Sequence, residues 1–284
     1  MRVIEPNQLN RRSIKKKKRT HIPFIAVLFV MAASYGAWQL VNPKKIESTS
    51  PATTKAADTA KTPQVNETVK KNTLRQFTNQ QFVDFYSNFA YPNTAEIVIP
   101  PTITSNAEAD KRIQMLAEAR GYRLRSAPIS SPVKTFNGYL IQQKAAQPLV
   151  DLFEAGKKQN LSLTLTAAFR SIDEQRELFL ERLGASYNDI AAGKADAQVN
   201  ETLKITAPPG YSRHHNGFTI DIACGDIGGL ALLQTTCYTW LSKDNFKNAK
   251  EFGWIPSYPD GATSVGPEPE PWELVWVGRD ALLE

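Results

Sequence analysis

The feature that most limits how this chain can fold is a run of 19 residues, 23–41, that contains no charged side chain. As a helix, the run would be about 28 Å long, close to the hydrocarbon thickness of a bilayer. Seven of the nine residues in 11–19 are basic. Because basic residues favour the cytoplasmic side of a membrane, we expect residues 1–20 to form a basic cytoplasmic tail and residues 21–41 a single transmembrane anchor. A cleaved signal peptide is the alternative, since residues 32–34 are small.

The positive charge of the chain is concentrated in this N-terminal tail. The 284 residues carry a formal net charge of +6. Residues 1–19 hold eight basic groups and one acidic group, so the other 265 residues carry a net charge of −1. A body without a basic excess offers little for phosphates to bind, and we therefore expect no nucleic-acid partner.

The segment after the anchor, residues 42–75, is rich in Thr, Ala, Lys and Pro and contains no aromatic residue. Such a composition cannot bury enough apolar surface to fold, and it predicts a flexible linker. Residues 76–284 then form an extracytoplasmic domain, which includes Cys224 and Cys237. In an oxidising compartment these two cysteines can close a short loop as a disulfide; the alternative is a pair of reduced, buried thiols.

Hydrophobic periodicity in this domain predicts short helices and strands in irregular order. Helices are predicted at residues 107–120, 140–158, 173–183 (capped near Ser171) and 244–252, and strands at residues 161–167, 218–223 and 273–278. Because helices and strands do not alternate regularly, we expect an α+β fold rather than a doubly wound α/β sheet.

The residues with the clearest chemical meaning are His214 and Asp221, which flank an Asn-Gly turn signal at residues 216–217. Imidazole nitrogen and carboxylate oxygen are both zinc ligands, and an Asn-Gly reversal could bring the two side chains to one ion. His215 would point away from His214 in an extended chain, so we expect only one of them to face a metal. A hydrogen-bonded His–Asp couple is the alternative for an isolated pair of this kind.

Three stretches together resemble the VanY-type D-alanyl-D-alanine carboxypeptidases, zinc peptidases that share a fold with the Hedgehog signalling domain. Residues 212–221 are similar to the family signature Ser-X-His-X-X-Gly-X-Ala-X-Asp, with Thr219 at the Ala position. Residues 168–175 are similar to its Tyr-Arg-Ser…Gln segment. Residues 253–259 and 270–272 are similar to its Gly-Phe…Ser-Tyr-Pro…Glu-Pro-Trp-His ending.

The resemblance implies a Hedgehog/DD-peptidase-like fold, with a small antiparallel sheet and flanking helices, and a metallopeptidase that acts on peptidoglycan stem peptides. With the anchor, it places the domain in the periplasm or extracytoplasmic space, on the inner (cytoplasmic) membrane of a bacterium. It also implies roles for the matching residues: His214 and Asp221 as zinc ligands, Glu270 as general base toward the attacking water, Arg170 as the clamp on the substrate carboxylate or scissile carbonyl, and Ser212 and Gln175 as substrate-binding residues.

The chain departs from the family at Glu273, where the family has its third zinc ligand, a His. Glu273 can itself complete a ligand set with His214 and Asp221. Two carboxylates would then weaken zinc binding or favour a harder divalent metal such as Mn²⁺. Alternatively the domain binds no metal and is an inactive peptidoglycan-binding module that localises or regulates other cell-wall enzymes. Because the other site residues match, we favour the carboxypeptidase.

Overall fold

The computed structural model describes residues 73–263 and 265–284. The predicted cytoplasmic tail, the predicted anchor and nearly all of the predicted linker lie outside these residues. None of the helices in the described part is long and apolar enough to span a membrane. Leu74 is buried and pairs with Leu283, so the packed domain already includes a residue that composition assigns to the end of the linker.

The described residues form an α+β fold, as the sequence predicts. The strands are β1 (Thr94–Glu96), β2 (Ser126–Pro128), β3 (Val133–Lys134), β4 (Leu140–Ile141), β5 (Leu163–Ala167), β6 (Thr219–Cys224), β7 (Trp254–Tyr258) and β8 (Glu270–Trp276). The helices are α1 (Asn79–Ser87), α2 (Ala107–Ala119), α3 (Gln143–Lys158), α4 (Ile172–Leu183), α5 (Tyr187–Ala191), α6 (Asp196–Ile205) and α7 (Thr236–Lys250). The predicted strands correspond to β5, β6 and β8, whereas α1, α5, α6, β1–β4 and β7 were not predicted.

The central element of the domain is a four-stranded antiparallel sheet in the order β5-β6-β8-β7. The register of its inner strands, β6 and β8, pairs Ile220 with Leu274 and Asp221 with Glu273. Directly paired residues of antiparallel strands have their Cβ atoms about 4.5–5.5 Å apart on the same face. The sheet therefore brings two carboxylates from distant parts of the chain side by side.

The two faces of this sheet differ in polarity. Ile220, Ile222 and Leu274 are buried in one hydrophobic cluster with leucines of α3. Side chains alternate between faces along a strand, so Asp221 and Glu273 project from the face opposite α3. The apolar packing of one face thus determines where the carboxylates of the other face lie.

A second buried cluster joins α2, α4 and α6 through residues such as Phe179 and Leu203. Helix α4 begins within one residue of its predicted start. The Ser171 hydroxyl accepts a hydrogen bond from the Glu174 backbone N–H, and the Glu174 side chain accepts one from the Ser171 N–H. This capping box fixes the start of the helix directly after Arg170.

Helix α3 is shorter than predicted at its N-terminal end. The prediction began at residue 140, but Leu140–Ile141 forms β4 and pairs with β3. The helix begins at Gln143 and contains Pro148. The pairing of a distant segment therefore overrides the local helical pattern at this end.

Helix α7 differs most from its prediction of residues 244–252. It begins at Thr236 and is interrupted at Lys243–Phe246, where three residues have positive φ. The Asn245 side chain accepts a hydrogen bond from the Phe77 N–H and donates one to the Phe77 carbonyl. This contact joins segments far apart in sequence, so local periodicity could not reveal the interruption.

Cys224 and Cys237 form a disulfide, with their Cα atoms 5.8 Å apart. The bridge links the end of β6 to the first turn of α7, and Cys237 is fully buried. Of the two alternatives for these cysteines, the structure therefore contains the disulfide.

We expect replacement of both cysteines, Cys224→Ala with Cys237→Ala, to lower the free energy of unfolding by about 3 kcal/mol, because the crosslink restricts the unfolded chain over a loop of about 15 residues. Equilibrium urea denaturation measures this loss. Reduced wild-type protein is the control and should unfold at nearly the same urea concentration as the variant. An unchanged midpoint after reduction would contradict the prediction.

Candidate metal and substrate site

Three side chains converge on the face of the sheet opposite α3. His214 lies in a short 3-10 turn, Arg213–Asn216, just before β6, while Asp221 and Glu273 come from β6 and β8. His214 Nε2 is 3.2 Å from Glu273 Oε2 and 3.4 Å from Asp221 Oδ1. One ligand atom from each of the three side chains lies within 4.8 Å of the other two.

The turn that orients His214 depends on the Asn-Gly pair noted in the sequence. The Asn216 side chain accepts a hydrogen bond of 2.7 Å from the Phe218 N–H. Gly217 has φ +75°, a conformation that a residue with a side chain adopts at an energetic cost, and its N–H donates to the His214 carbonyl. The chain therefore reverses between His214 and β6, as the sequence predicts.

The hydrogen bonding of His214 leaves one ring nitrogen for a metal. Nδ1 lies 2.7 Å from the Ala168 carbonyl oxygen and donates its proton there. When the ring is neutral, its other nitrogen, Nε2, carries a lone pair that points between the two carboxylates and can bind a metal. Asp221 Oδ1 is buried, yet it accepts no hydrogen bond from any described residue. A cation between these atoms would satisfy all three groups.

The spacing of these atoms fits a small divalent ion. Two ligand atoms each about 2.1 Å from a tetrahedral zinc lie about 3.4 Å apart. The two distances from His214 Nε2, 3.2 Å and 3.4 Å, are close to that value. His214 is therefore spaced for a shared metal with either carboxylate, and all three ligand atoms lie within 4.8 Å of one another, with Glu273 at the position of the third ligand.

The charges around His214 also favour a cation. Burial by itself would lower its pKa, but the carboxylates of Asp221 and Glu273 raise it to about 10. Without a metal, the ring is therefore protonated at neutral pH, and both of its N–H groups face oxygen acceptors. A metal bound at Nε2 must replace that proton.

His215 faces away from this cluster. Its Nδ1 donates to the Arg170 carbonyl at 2.8 Å, and its Nε2 accepts from the Gly210 N–H at 3.0 Å. Burial lowers its pKa to about 4, so the ring is neutral at physiological pH. Only one of the adjacent histidines faces the metal cluster, as the sequence predicts, and the other holds the Arg170 backbone in place.

The predicted substrate-binding residues lie beside the metal ligands. Arg170 Nη1 donates to Gln175 Oε1 at 2.7 Å, and Gln175 Nε2 donates to the Ala207 carbonyl at 2.7 Å. Ser212 is buried next to the His214 turn. Gln175 therefore fixes the direction of the Arg170 guanidinium, whose side chain is partly exposed.

Glu270 is the first residue of β8 and pairs with Tyr258 of β7. Burial raises the pKa of Glu270 well above its usual value, and the nearby charges of Glu273 and Asp221 add to the effect. A raised pKa makes a carboxyl group better suited to acid–base chemistry.

All seven predicted site residues line one cavity of about 180 Å³. They are Arg170, Gln175, Ser212, His214, Asp221, Glu270 and Glu273. The sequence-based prediction missed two residues that contact Glu273, Arg213 and Ser257. The sequence held one indication of them. A glutamate replaces the family's histidine at residue 273, and a buried carboxylate needs a hydrogen-bond donor or a cation beside it.

The geometry can be compared with known proteins. Residues 138–279 match the model of the VanY family, described as D-alanyl-D-alanine carboxypeptidase. A D-alanyl-D-alanine carboxypeptidase of Enterococcus faecalis (strain ATCC 700802 / V583) is 29% identical over 150 residues, 52% of this chain and 52% of the relative. The chain thus spans about half the length of this curated relative.

Two solved structures are also similar. VanYB in complex with D-Alanine-D-Alanine is 24% identical, with a TM-score of 0.43, over 57% of this chain and 81% of that chain. The LdcB LD-carboxypeptidase is 27% identical, with a TM-score of 0.40, over 50% and 61% of the two chains.

The family match extends further toward the N-terminus than the three motifs do, because it begins at residue 138 and so includes β4 and α3. It covers half of the 284 residues and contains every one of the seven site residues. On this evidence, the chain belongs to the VanY family of D-alanyl-D-alanine carboxypeptidases.

Proposed function

We propose that this protein is a metal-dependent carboxypeptidase that removes the terminal D-alanine from peptidoglycan stem peptides. The observation that carries this proposal is the meeting of a metal-ligand set, a protonatable carboxyl group and a guanidinium group in one cavity. These are the three parts that metal-assisted hydrolysis next to a free carboxylate requires. Membership of the VanY family supports this choice of substrate.

We propose zinc as the metal, held by His214, Asp221 and Glu273. One imidazole and two carboxylates are all zinc ligands, and their spacing fits that ion. A bound zinc ion would act as a Lewis acid that polarises the scissile carbonyl and makes water more acidic. Because oxygen ligands outnumber nitrogen here, Mn²⁺ is the metal to compare with it.

Glu270 is the proposed general base. Its carboxylate would accept a proton from the attacking water and then deliver that proton to the departing amino group of D-alanine. A base performs both transfers best when its pKa lies near the working pH. Burial and neighbouring carboxylates move the pKa of Glu270 upward, in that direction.

Arg170 is the proposed clamp for the substrate's terminal carboxylate. A guanidinium group can donate two parallel hydrogen bonds to a carboxylate, which fixes the end of the peptide. Gln175 already holds one nitrogen of the group at 2.7 Å and so limits its rotation. Ser212, buried beside His214, would donate to the substrate near the scissile bond.

We expect Glu270→Ala in the full-length protein to lower kcat for D-alanine release from a stem pentapeptide by about 10²–10⁴-fold, because the proton acceptor is lost. The assay measures free D-alanine after loading with zinc or, separately, with manganese. Circular dichroism checks that the variant keeps its fold.

Glu268→Ala is the matched control, since Glu268 is exposed, lies two residues away and does not line the cavity. It should keep wild-type activity. Unchanged D-alanine release by Glu270→Ala would contradict the role of Glu270. Wild-type protein that binds stem peptides but releases no D-alanine with any metal would instead indicate a binding module.

We also expect metal binding to release protons at neutral pH, because a metal on His214 Nε2 replaces a ring proton whose pKa is about 10. Zinc affinity should therefore rise with pH between about pH 6 and 8. Calorimetric titration in buffers of different ionisation enthalpy counts the protons released. A heat of binding that does not depend on the buffer would contradict the prediction.

We further propose that residues 21–41 anchor the enzyme in the inner membrane, with the domain outside. The basic tail and the uncharged run support this topology. The full-length protein should stay in the membrane fraction after a carbonate wash, and a protease added from the outer side should digest the domain. A matched chain that lacks residues 1–41 should be washed free. A mature protein whose mass shows cleavage near residues 32–34 would indicate a signal peptide instead.

A further inference from the structure

We propose that Arg213 is a positioning residue that adapts the metal site to a glutamate ligand. It holds one oxygen of Glu273, so that the other oxygen faces the metal, and its charge offsets the second carboxylate of the ligand set. This inference rests on the metal site proposed above and assigns a role to a residue outside the ligand set.

The two oxygens of Glu273 have different partners. Oε1 accepts a hydrogen bond from the Ser257 hydroxyl and lies 3.7 Å from Arg213 Nη1. Oε2 lies 3.2 Å from His214 Nε2, on the side of the metal cluster. A carboxylate held in this way can offer only one oxygen to an ion. Ser257 and Arg213 thus orient the ligand from behind, as outer partners of metal ligands commonly do.

The Arg213 guanidinium is itself held firmly. Its central carbon lies 3.2 Å from the ring centre of Tyr258 and 3.9 Å from that of Tyr86, so the group is stacked between two aromatic rings. Nη1 also donates to the Ser257 carbonyl. The residue is only 3% exposed, and the aromatic faces attract its charge. The two rings and the Ser257 carbonyl therefore hold the guanidinium, while its Nε and Nη2 atoms are buried without a hydrogen-bond partner among the described residues.

A buried guanidinium is costly unless a negative group pairs with it. Within residues 73–263 and 265–284, the one carboxylate in an ion pair with Arg213 is that of Glu273. The pair is buried on both sides, with side-chain exposures of 3% and 5%. Glu273 is therefore the group that makes burial of Arg213 tolerable.

The buried pair of Arg213 and Glu273 also affects the net charge of the proposed metal site. A ligand set of two histidines and one aspartate, as the family resemblance implies, carries a charge of −1. The set of His214, Asp221 and Glu273 carries −2, which would nearly neutralise a divalent ion. Adding Arg213 returns the total to −1. The net charge that controls the acidity of a metal-bound water would then be the same as in the set of two histidines and one aspartate, despite the replaced ligand.

Arg213→Met in the full-length protein tests the inference, because Met keeps the bulk of the side chain without its charge. Zinc affinity, measured by competition with a chromophoric chelator, should fall about 10–100-fold, the usual cost of losing an outer partner of a metal ligand. The same substitution in a Glu273→His background should not lower zinc affinity, since no carboxylate remains for Arg213 to position and its unpaired charge would only repel the cation. Arg213→Lys should recover part of the loss.

Ser257→Ala provides a second variant that leaves Arg213 and its two aromatic neighbours intact. It should lower zinc affinity in the wild-type background and not in Glu273→His. If circular dichroism shows that Arg213→Met does not fold, Arg213→Lys, compared in the same two backgrounds, decides the role of Arg213. Unchanged affinity in the wild-type background, or equal losses in both backgrounds, would overturn the role of Arg213 while the metal site stands. Wild-type protein that binds no zinc would overturn the proposed function as well.

Discussion

The pairing of β6 with β8 is the constraint on which the rest of the site depends. It sets Asp221 opposite Glu273 and leaves Ile220 and Leu274 on the other face. A slip of one residue would move every side chain of a strand to the opposite face of the sheet. The slip would then bury a carboxylate in the hydrophobic cluster against α3 and would place a leucine among the candidate metal ligands. Apolar packing on one face therefore protects the ligand geometry on the other.

The pairing also concentrates negative charge. Asp221, Glu270 and Glu273 line one small cavity, where water cannot fully screen them. Carboxylates so close together favour a protonated carboxyl group, a neighbouring cation or a bound metal. Arg213 supplies the neighbouring cation, and the same concentration of charge, together with burial, raises the pKa of Glu270. The arrangement of His214, Asp221 and Glu273 also suits a bound metal.

Local physical rules account for the parts of the fold and site that the sequence predicted. The cap at Ser171, the reversal at Asn216–Gly217 and the alternation along β6 each depend on residues within a few positions of one another. The interruption of α7 depends on Asn245 bonding to the backbone of Phe77. The start of α3 depends on the pairing of β4 with β3. Neither contact leaves a local pattern, so both were missed.

The sequence by itself determined which groups are available: His214, Asp221, Glu270 and Arg170 at positions that match a known family, and Glu273 where that family has a histidine. Only the tertiary structure decided that Glu273 Oε2 faces His214, that Ser257 donates a hydrogen bond to the other oxygen, and that Arg213 lies 3.7 Å from that oxygen. The reason is physical. A ligand set is defined by distances of a few ångströms, and strand pairing and burial set those distances between residues far apart in the chain.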